Sequence, residues 1–182
     1  EDKQLYNMLG HLNMAEKEIS LKDNSETEIY EVACPDDKYA FLHEAAIIEY
    51  HGTLFAAWYN CEEKELIGPT PIRQKRSKDG GKTWSDIETI AEDQTGKILF
   101  CPPVYGICED KLYMLINEMV SADHIHALDL YVFQEEKDCF EFLWSKPIPF
   151  KLNTNVYKMA NGKLLLPGRI AELDGFPNTP AV

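Results

Sequence analysis

The sequence predicts an all-β fold assembled from repeated four-stranded units. Aromatic residues make up 11% of the 182 residues and lie in short runs that glycine and aspartate separate. One strand-turn-strand pattern occurs three times along the chain. Short aromatic and β-branched runs bounded by turn residues are typical of strands rather than of long helices. Because 45% of the residues are hydrophobic, the chain is able to bury a core, as one domain or as part of a larger one.

The repeat consists of three segments that align without gaps. They are AAIIEYHGTLFAAWYN (45–60), PVYGICEDKLYMLINE (103–118) and NVYKMANGKLLLPGRI (155–170). The aligned leucines Leu54, Leu112 and Leu164 are separated by 58 and 52 residues. These spacings are close to the ~40–50 residues of a propeller blade plus a loop. The repeat therefore predicts that the three leucines occupy equivalent places in consecutive blades of a β-propeller.

A second pair of strands after each of the first two hairpins completes four strands per unit. The predicted strands are Ile72–Ser77 with Thr83–Ile90, and Ala127–Gln134 with Phe140–Trp144. Both pairs close on Trp-Ser, at Trp84 and Trp144, which are 60 residues apart and agree with the leucine period. The third unit shows only its first hairpin before Val182. Since an open ring would expose sheet faces and edges, we expect roughly half of the domain to lie outside this sequence.

The turn of the first unit, SKDGGKTW, is the most specific motif in the sequence. The side chains of Ser77 and Asp79 are able to bond turn amides, Gly81 tolerates a positive φ, and Trp84 covers the hairpin. With Thr83, these residues match the pattern Ser-x-Asp-x-Gly-x-Thr-Trp. The turn resembles the Asp box of the BNR repeats in sialidases (neuraminidases).

On this motif and on the preceding HEAAIIEYHGTLFAAWYN segment, the chain resembles the sialidase-like superfamily over residues 28–182. The resemblance implies a six-bladed β-propeller, of which only about the first three blades are present. Residues 1–27 carry no blade pattern and are expected to be an N-terminal extension. The segment TEIYEV (27–32) alternates like a strand, and in related propellers such a strand completes the last blade.

Hairpin geometry predicts which polar side chains share one rim, because the start of a strand and the end of its antiparallel partner lie side by side. In the first unit these side chains are His43, Glu44, Tyr59 and Asn60. The later units add Pro102, Asn117, Glu118, Asn153, Asn155 and Arg169. The Asp-box turn falls on the opposite rim, so Asp79 is predicted to be structural rather than catalytic.

We expect this rim to bind a glycan or a small sugar, because its carboxylate, amide, imidazole and guanidinium groups bind hydroxyls and act on glycosidic bonds. Glu118 and Glu44 are the candidate catalytic residues. The candidate substrate-binding residues are His43, Asn60, Asn117, Asn155 and Arg169. Glu118 and Arg169 stand out since a charge at the end of a buried strand needs a partner or a ligand. For any single residue, the simpler interpretation is that rims are loops and loops are polar.

Two departures from the sialidase pattern keep two functions open. The resemblance implies an Arg-Ile-Pro segment where this chain has His43-Glu44-Ala45, and an acid/base aspartate where only Glu62, Glu63 and Glu65 occur. The first hypothesis is an exo-glycosidase that hydrolyses a terminal sugar from a glycan. The second is a non-catalytic glycan-binding or assembly propeller that has lost the catalytic set.

Composition narrows the partners further. The net charge of −13 argues against a nucleic acid or an anionic membrane as partner, and no apolar run predicts membrane insertion. The five cysteines lack CxxC spacing and are expected to be mostly buried thiols, which favours a cytoplasmic location unless a signal peptide was removed. His124 and His126 lack a third ligand, so neither a metal nor a cofactor is predicted. No motif indicates an oligomeric state.

Overall fold

A computed structural model describes residues 28–122 and 124–170, together with the backbone of residues 179–181. Every regular element in these ranges is a β-strand, which confirms the all-β prediction. The same ranges contain no helix long and apolar enough to cross a bilayer. The extension 1–27 lies outside the described residues. Residues 28–32 form no strand, so the prediction of a strand at TEIYEV is wrong over its described part.

The first two units are four-stranded antiparallel sheets in which each strand pairs with the next along the chain. The first sheet contains β1 (Phe41–Tyr50), β2 (Thr53–Cys61), β3 (Ile72–Ser77) and β4 (Glu88–Ala91). The second contains β5 (Leu99–Cys108), β6 (Lys111–Ser121), β7 (His124–Gln134) and β8 (Cys139–Lys146).

Two-residue turns close the first hairpin of each of these sheets. His51 and Gly52 have φ values of 47° and 77°, and Glu109 and Asp110 have φ values of 49° and 58°. Positive φ at both central residues matches the right-handed twist of the flanking strands, which is why such turns suit hairpins. The short turns therefore fix the registers of β1 with β2 and of β5 with β6.

The third unit is less regular than predicted. Its strands are β9 (Phe150–Leu152), β10 (Tyr157–Lys158), β11 (Leu164–Leu165), β12 (Gly168–Ile170) and β13 (Thr179–Ala181). The hairpin pairs β10 with β11, whereas β12 pairs with β9 and with β13. The unit therefore begins before residue 155, at β9. One further strand, β13, pairs with β12 after the predicted hairpin.

The three repeat leucines are equivalent in only two units. Leu54 and Leu112 each pair with the residue five positions earlier in the hairpin. Leu164 pairs with Lys158 across a longer turn that contains Gly162. As a result Leu112 is fully buried, whereas Leu164 is 47% exposed. The prediction of three equivalent environments is wrong for Leu164, because the longer turn leaves the hairpin tip outside the core.

Two other details of the predicted period are also wrong. The strand predicted over Thr83–Ile90 begins only at Glu88, because the chain before it forms the end of the Asp-box turn. Trp144 lies inside β8, whereas Trp84 precedes β4. The matching Trp-Ser pairs therefore do not occupy equivalent places in the two sheets.

Successive sheets stack face to face, and apolar side chains fill the space between them. The first interface includes the buried Phe55, Ile72, Tyr105 and Met114. The buried amide of Gln74 is satisfied across the interface, since the Tyr105 hydroxyl donates to Oε1 of Gln74 at 2.8 Å. The stacking of twisted four-stranded sheets in this way is the packing of propeller blades.

The second interface packs the third unit onto the second sheet through Val104, Leu115, Leu128 and Leu152. Gly106 permits the close approach, because a Cβ at that position would lie 2.8 Å from the Val156 side chain. This interface is smaller than the first within the described residues, and it positions the start of β9 against β6.

The cysteines only partly follow the sequence expectation. Cys61 and Cys101 are buried and Cys108 is half-buried, but Cys34 and Cys139 are exposed. All five are free thiols. The interior therefore contains two thiols, one of which lies beside a candidate site residue.

The Asp-box turn is held by its own side chains on the rim opposite the predicted site. Oδ1 of Asp79 accepts the Thr83 amide at 2.9 Å, and Oδ2 accepts the Thr83 hydroxyl at 2.6 Å. The Ser77 hydroxyl donates to Asp79 at 2.8 Å and accepts the Gly81 amide at 2.8 Å. These hydrogen bonds lower the pKa of Asp79 to about 2, and the bonds from the Thr83 hydroxyl and amide have the largest effect. Both carboxylate oxygens are thus occupied within the turn that ends at Trp84.

Candidate functional site

The first strand of each unit is interrupted. The register of β1 with β2 shifts between His43 and Ala46, and that of β5 with β6 shifts between Phe100 and Pro103. In the third unit the interruption is the segment 153–156, which separates β9 from β10. A bulge bends its strand and re-aims the side chains next to it. The three interruptions border a common space, to which the first and the third contribute polar side chains.

This space is a cavity of about 300 Å³, which we call the rim cavity. It is lined by one segment from each unit, namely 44–47, 102–104 and 153–155. Its volume is at the lower end of the range of ~300–1,000 Å³ that is usual for ligand pockets. Glu44, which has the positive φ of 45°, supplies the carboxylate of the lining. The rim predicted from hairpin geometry therefore contains a concave site.

Cys101 holds the Glu44 carboxylate from the neighbouring sheet. Its Sγ donates to Oε2 of Glu44 at 3.1 Å. Burial, followed by the charge of Glu44, raises the pKa of the Cys101 thiol, whereas Lys151 acts on it in the opposite direction. The thiol therefore stays protonated and remains a hydrogen-bond donor to Glu44.

His43 belongs to a small hydrogen-bonded group next to the rim cavity. The Tyr59 hydroxyl donates to Oε1 of Glu65 at 3.1 Å, and Nδ1 of His43 lies 2.9 Å from that hydroxyl. Since the hydroxyl has one proton, His43 acts as the donor through Nδ1. Burial raises the pKa of Tyr59, and the nearby Cys101, Glu44 and Glu65 add to the effect. Tyr59 is fully buried and orients His43, which is itself exposed.

Glu118 lies outside the rim cavity and pairs with a second acid. Burial, then a hydrogen bond and charge from Asp129, raise the pKa of Glu118 to about 7. Glu118 stands opposite Phe100 in the β5–β6 ladder, and the next residue, Cys101, contacts Glu44. The structure thus brings Glu118 and Glu44 to either side of β5 residues 100 and 101 but does not place both of them in the lining of one cavity.

The predicted binding residue Asn117 is buried, with its amide fully engaged. It has 0% exposure. Its Oδ1 accepts the Leu152 amide at 2.8 Å, and its Nδ2 donates to the Phe150 carbonyl at 2.7 Å. These bonds attach β9 to β6. The geometry gives Asn117 a structural role, because no polar atom of its side chain is left for a sugar.

Asn60 and Asn155 are also engaged by the protein itself. Oδ1 of Asn60 accepts the Trp58 indole N–H at 2.9 Å. Oδ1 of Asn155 accepts the Tyr105 amide at 2.8 Å, and its Nδ2 donates to the Ile47 carbonyl at 2.9 Å. Asn155 lies on the rim cavity, but its amide ties the third unit to β1 and β5. Both side chains support the frame of the site.

Arg169 is accompanied by a lysine that the sequence analysis did not single out. Arg169 and Lys151 are directly opposite each other in the β9–β12 pair. Directly opposite residues of a ladder project to the same face. Lys151 is buried, and Nε of Arg169 is buried without a hydrogen-bond partner in the described part of the chain. The third unit therefore brings two cations to one face near the rim.

Asp129, Lys151 and Cys101 were not predicted as site residues. The first two are lone charges in apolar strands, ALDLYV and FKL. The rule that singled out Glu118, that a charge in a buried strand needs a partner, applies equally to them. Cys101 gives no such signal, because a buried thiol is common in cores.

Comparisons with known proteins give matches among solved structures. No protein-family model and no curated protein matches the sequence. The Hadza microbial sialidase Hz136 matches 79% of this chain and 38% of its own with a TM-score of 0.62 at 11% identity. The Bombyx mori GH32 beta-fructofuranosidase BmSUC1 matches 80% of this chain and 35% of its own with a TM-score of 0.53 at 14% identity. The Trypanosoma rangeli sialidase in complex with sialic acid matches 86% of this chain and 34% of its own with a TM-score of 0.50 at 14% identity.

The chain spans between 34% and 38% of the length of these neighbours. At such low identity a likeness establishes the fold alone. The stacked antiparallel sheets described above agree with it. The chain therefore has the fold of the sialidase-like β-propellers, of which it contains a part.

Proposed function

We propose that this chain belongs to a carbohydrate-active propeller that acts as an exo-glycosidase and binds a terminal sugar at the rim cavity. The observation that carries the proposal is the convergence of three strand interruptions on one cavity lined by Glu44. A concave site with a few convergent polar groups is the usual form of a small-ligand site. The activity and its substrate are proposed for the whole protein, of which the chain supplies one part.

The two predicted catalytic residues have complementary surroundings. Glycoside hydrolysis uses one carboxyl group that gives a proton to the leaving oxygen and one that is ionised. The pKa of Glu118 is raised to about 7, which favours a carboxyl group that keeps its proton closer to neutral pH than an ordinary glutamate does. Glu44 lines the rim cavity and accepts a hydrogen bond from Cys101. We assign Glu118 as the acid and Glu44 as the second carboxyl group.

The groups expected to orient the sugar differ from those of the sequence prediction. His43 is exposed beside the rim cavity and is fixed by Tyr59. Arg169 and Lys151 supply positive charge from the third unit. Asn60, Asn117 and Asn155 hold the strands that carry these groups, so their contribution to binding is indirect.

The fold neighbours agree with action on a sugar. They are named as sialidases and as a beta-fructofuranosidase, and one of them contains sialic acid. These names describe the neighbours. For this chain they suggest which glycosides to test first.

A non-catalytic glycan-binding or assembly propeller is the second candidate function. The observation in its favour is that Glu118 does not line the rim cavity and that three predicted binding amides are engaged within the protein. Such a protein would bind a glycan at the rim cavity without cleaving it.

A screen of the full-length protein with fluorogenic sialosides, hexosides and a β-fructofuranoside tests both candidates. For an exo-glycosidase we expect hydrolysis of one class, and a loss of about 100-fold or more in kcat for Glu44→Gln and for Glu118→Gln. Glu136→Gln, a change at an exposed residue of the turn between β7 and β8, serves as the matched control. If both variants hydrolyse the substrate as fast as the wild type, the assignment of Glu44 and Glu118 as catalytic residues is wrong. Binding on a glycan array that needs Glu44, without hydrolysis of any substrate, would favour the second function.

A further inference from the structure

Asp129 is a buried acid that faces Glu118. In the ladder of β6 and β7, Glu118 stands opposite Ala127, and Asp129 lies two residues further along β7 on the same face. Asp129 is only 2% exposed. Its Oδ1 has no hydrogen-bond partner among the described residues. A buried carboxylate oxygen without a donor is costly, so a proton between the two acids is the simplest way to satisfy it.

The groups around the two acids favour a retained proton. On the neighbouring strands Phe100 stands opposite Glu118, and Ser145 stands opposite Asp129. Tyr131 is the next titratable side chain on this face of β7, and burial together with the charges of Asp129 and Glu118 raises its pKa. Burial raises the pKa of Glu118, and the neighbouring Asp129 raises it further. A carboxylate close to a second, half-buried carboxyl group disfavours the ionisation of that group.

We propose that Asp129 and Glu118 share one proton across β6 and β7, and that Asp129 is the positioning residue that holds this proton on Glu118. The assignment rests on the proposed exo-glycosidase function, in which Glu118 donates a proton to the leaving oxygen. Asp129 does not contact the sugar. Glu118 gives its proton to the glycosidic oxygen as the bond from that oxygen to the anomeric carbon breaks. A water molecule supplies the new bond to the anomeric carbon, and the proton that this water loses returns to the pair.

The test follows the Glu118 carboxyl carbon by NMR in the full-length protein, with the resonance identified by its loss in Glu118→Gln. In the wild type we expect it to titrate near pH 7. Asp129→Asn keeps the volume of the side chain but removes its charge, so the midpoint should fall by about one pH unit or more. The alkaline limb of kcat/KM should move down by the same amount, because it reports the acid. Asp86→Asn, at an exposed position, should change neither.

Each outcome separates this inference from the proposed function. An unmoved NMR midpoint in Asp129→Asn would overturn the shared proton, whatever the activity. A moved midpoint with an unmoved alkaline limb would overturn the positioning role. If the NMR midpoint of Glu118 moves but the protein hydrolyses no glycoside, the shared proton is supported and the proposed exo-glycosidase function is wrong. If Asp129→Asn fails to fold, wild type and Glu118→Gln are compared by potentiometric titration, and an equal proton release between about pH 6 and 8 would overturn the inference.

Discussion

The thiol of Cys101, on the first strand of the second sheet, donates a hydrogen bond to Oε2 of Glu44 on the first strand of the first sheet at 3.1 Å. This bond crosses the interface between the two sheets and fixes the carboxylate that lines the rim cavity. Because the thiol is buried and its pKa is raised, it remains a donor throughout the neutral range.

Replacement of Cys101 should therefore destabilise the protein and disorganise Glu44. A net hydrogen bond to a charged group is worth about 1.5–3 kcal/mol, so Cys101→Ala should lower the free energy of unfolding by about that amount. Cys101→Ser keeps a donor and should lose less. Chemical denaturation measures both, with Cys108→Ala as the control at a half-buried thiol. Equal losses in Cys101→Ala and Cys101→Ser would contradict a role for the donor.

Asn117 should be required for the docking of the third unit. Asn117→Ala would leave the Leu152 amide and the Phe150 carbonyl without partners in a buried place. We expect a loss of about 2–4 kcal/mol in the free energy of unfolding, since each unsatisfied group costs about 1–3 kcal/mol. The exposed Asn153 provides the matched control in Asn153→Ala, which should change stability by less than about 0.5 kcal/mol. A fully stable Asn117→Ala protein would contradict this account.

The Asp-box turn should weaken in acid. The pKa of Asp79 is lowered to about 2, so the stability that it contributes is present above the unfolded pKa of ~4 and is lost as the pH falls toward 2. Asp79→Asn should remove this part of the pH dependence. Urea unfolding of both proteins between about pH 2 and 7 is the measurement. Parallel curves for wild type and variant over this range would show that the turn does not depend on the charge.

A contact on the rim opposite the site should show the reverse dependence. Nε2 of His51 lies 3.0 Å from Asp110, and its Nδ1 lies 3.2 Å from Glu135, so the turns of the first two sheets meet there. The hydrogen bond to Asp110 raises the pKa of His51 most, and the negative charges of Asp110 and Glu135 raise it further. Its contribution to stability is complete below the unfolded pKa of ~6.5 and is lost as the pH rises through the folded value. In His51→Gln, thermal unfolding should lose this dependence between about pH 6 and 8. An unchanged dependence would exclude His51 as its source.

Local chemistry explains why parts of the fold were predictable. The turns at His51-Gly52 and Glu109-Asp110 are two-residue turns between apolar strands, so the register of those hairpins follows from the sequence around them. The third hairpin has a longer turn and an interrupted strand, and its geometry depends on packing against β5 and β6. Because an alignment without gaps ignores the longer turn, it wrongly gives Leu164 the buried environment of Leu112.

The candidate site was harder to predict from the sequence, because residues at the same end of a strand point to opposite faces of the sheet. Asn117 and Glu118 are neighbours at the same end of β6, so hairpin geometry places them together. Successive side chains of a strand point to opposite faces, however, and Asn117 bonds β9 whereas Glu118 meets Asp129. Which face is buried depends on the next sheet, and a single strand does not contain that information.

The amide of Asn155 touches the first strands of the first and second sheets while belonging to the third unit. In linear repeat arrays each module meets only its immediate neighbours, and modules are able to fray from either end. Here a bond skips a module, so the third cannot detach without releasing a hold on the first. Hydrogen exchange at the Tyr105 amide, which donates to Asn155, should consequently report the release of the third module from both of the others.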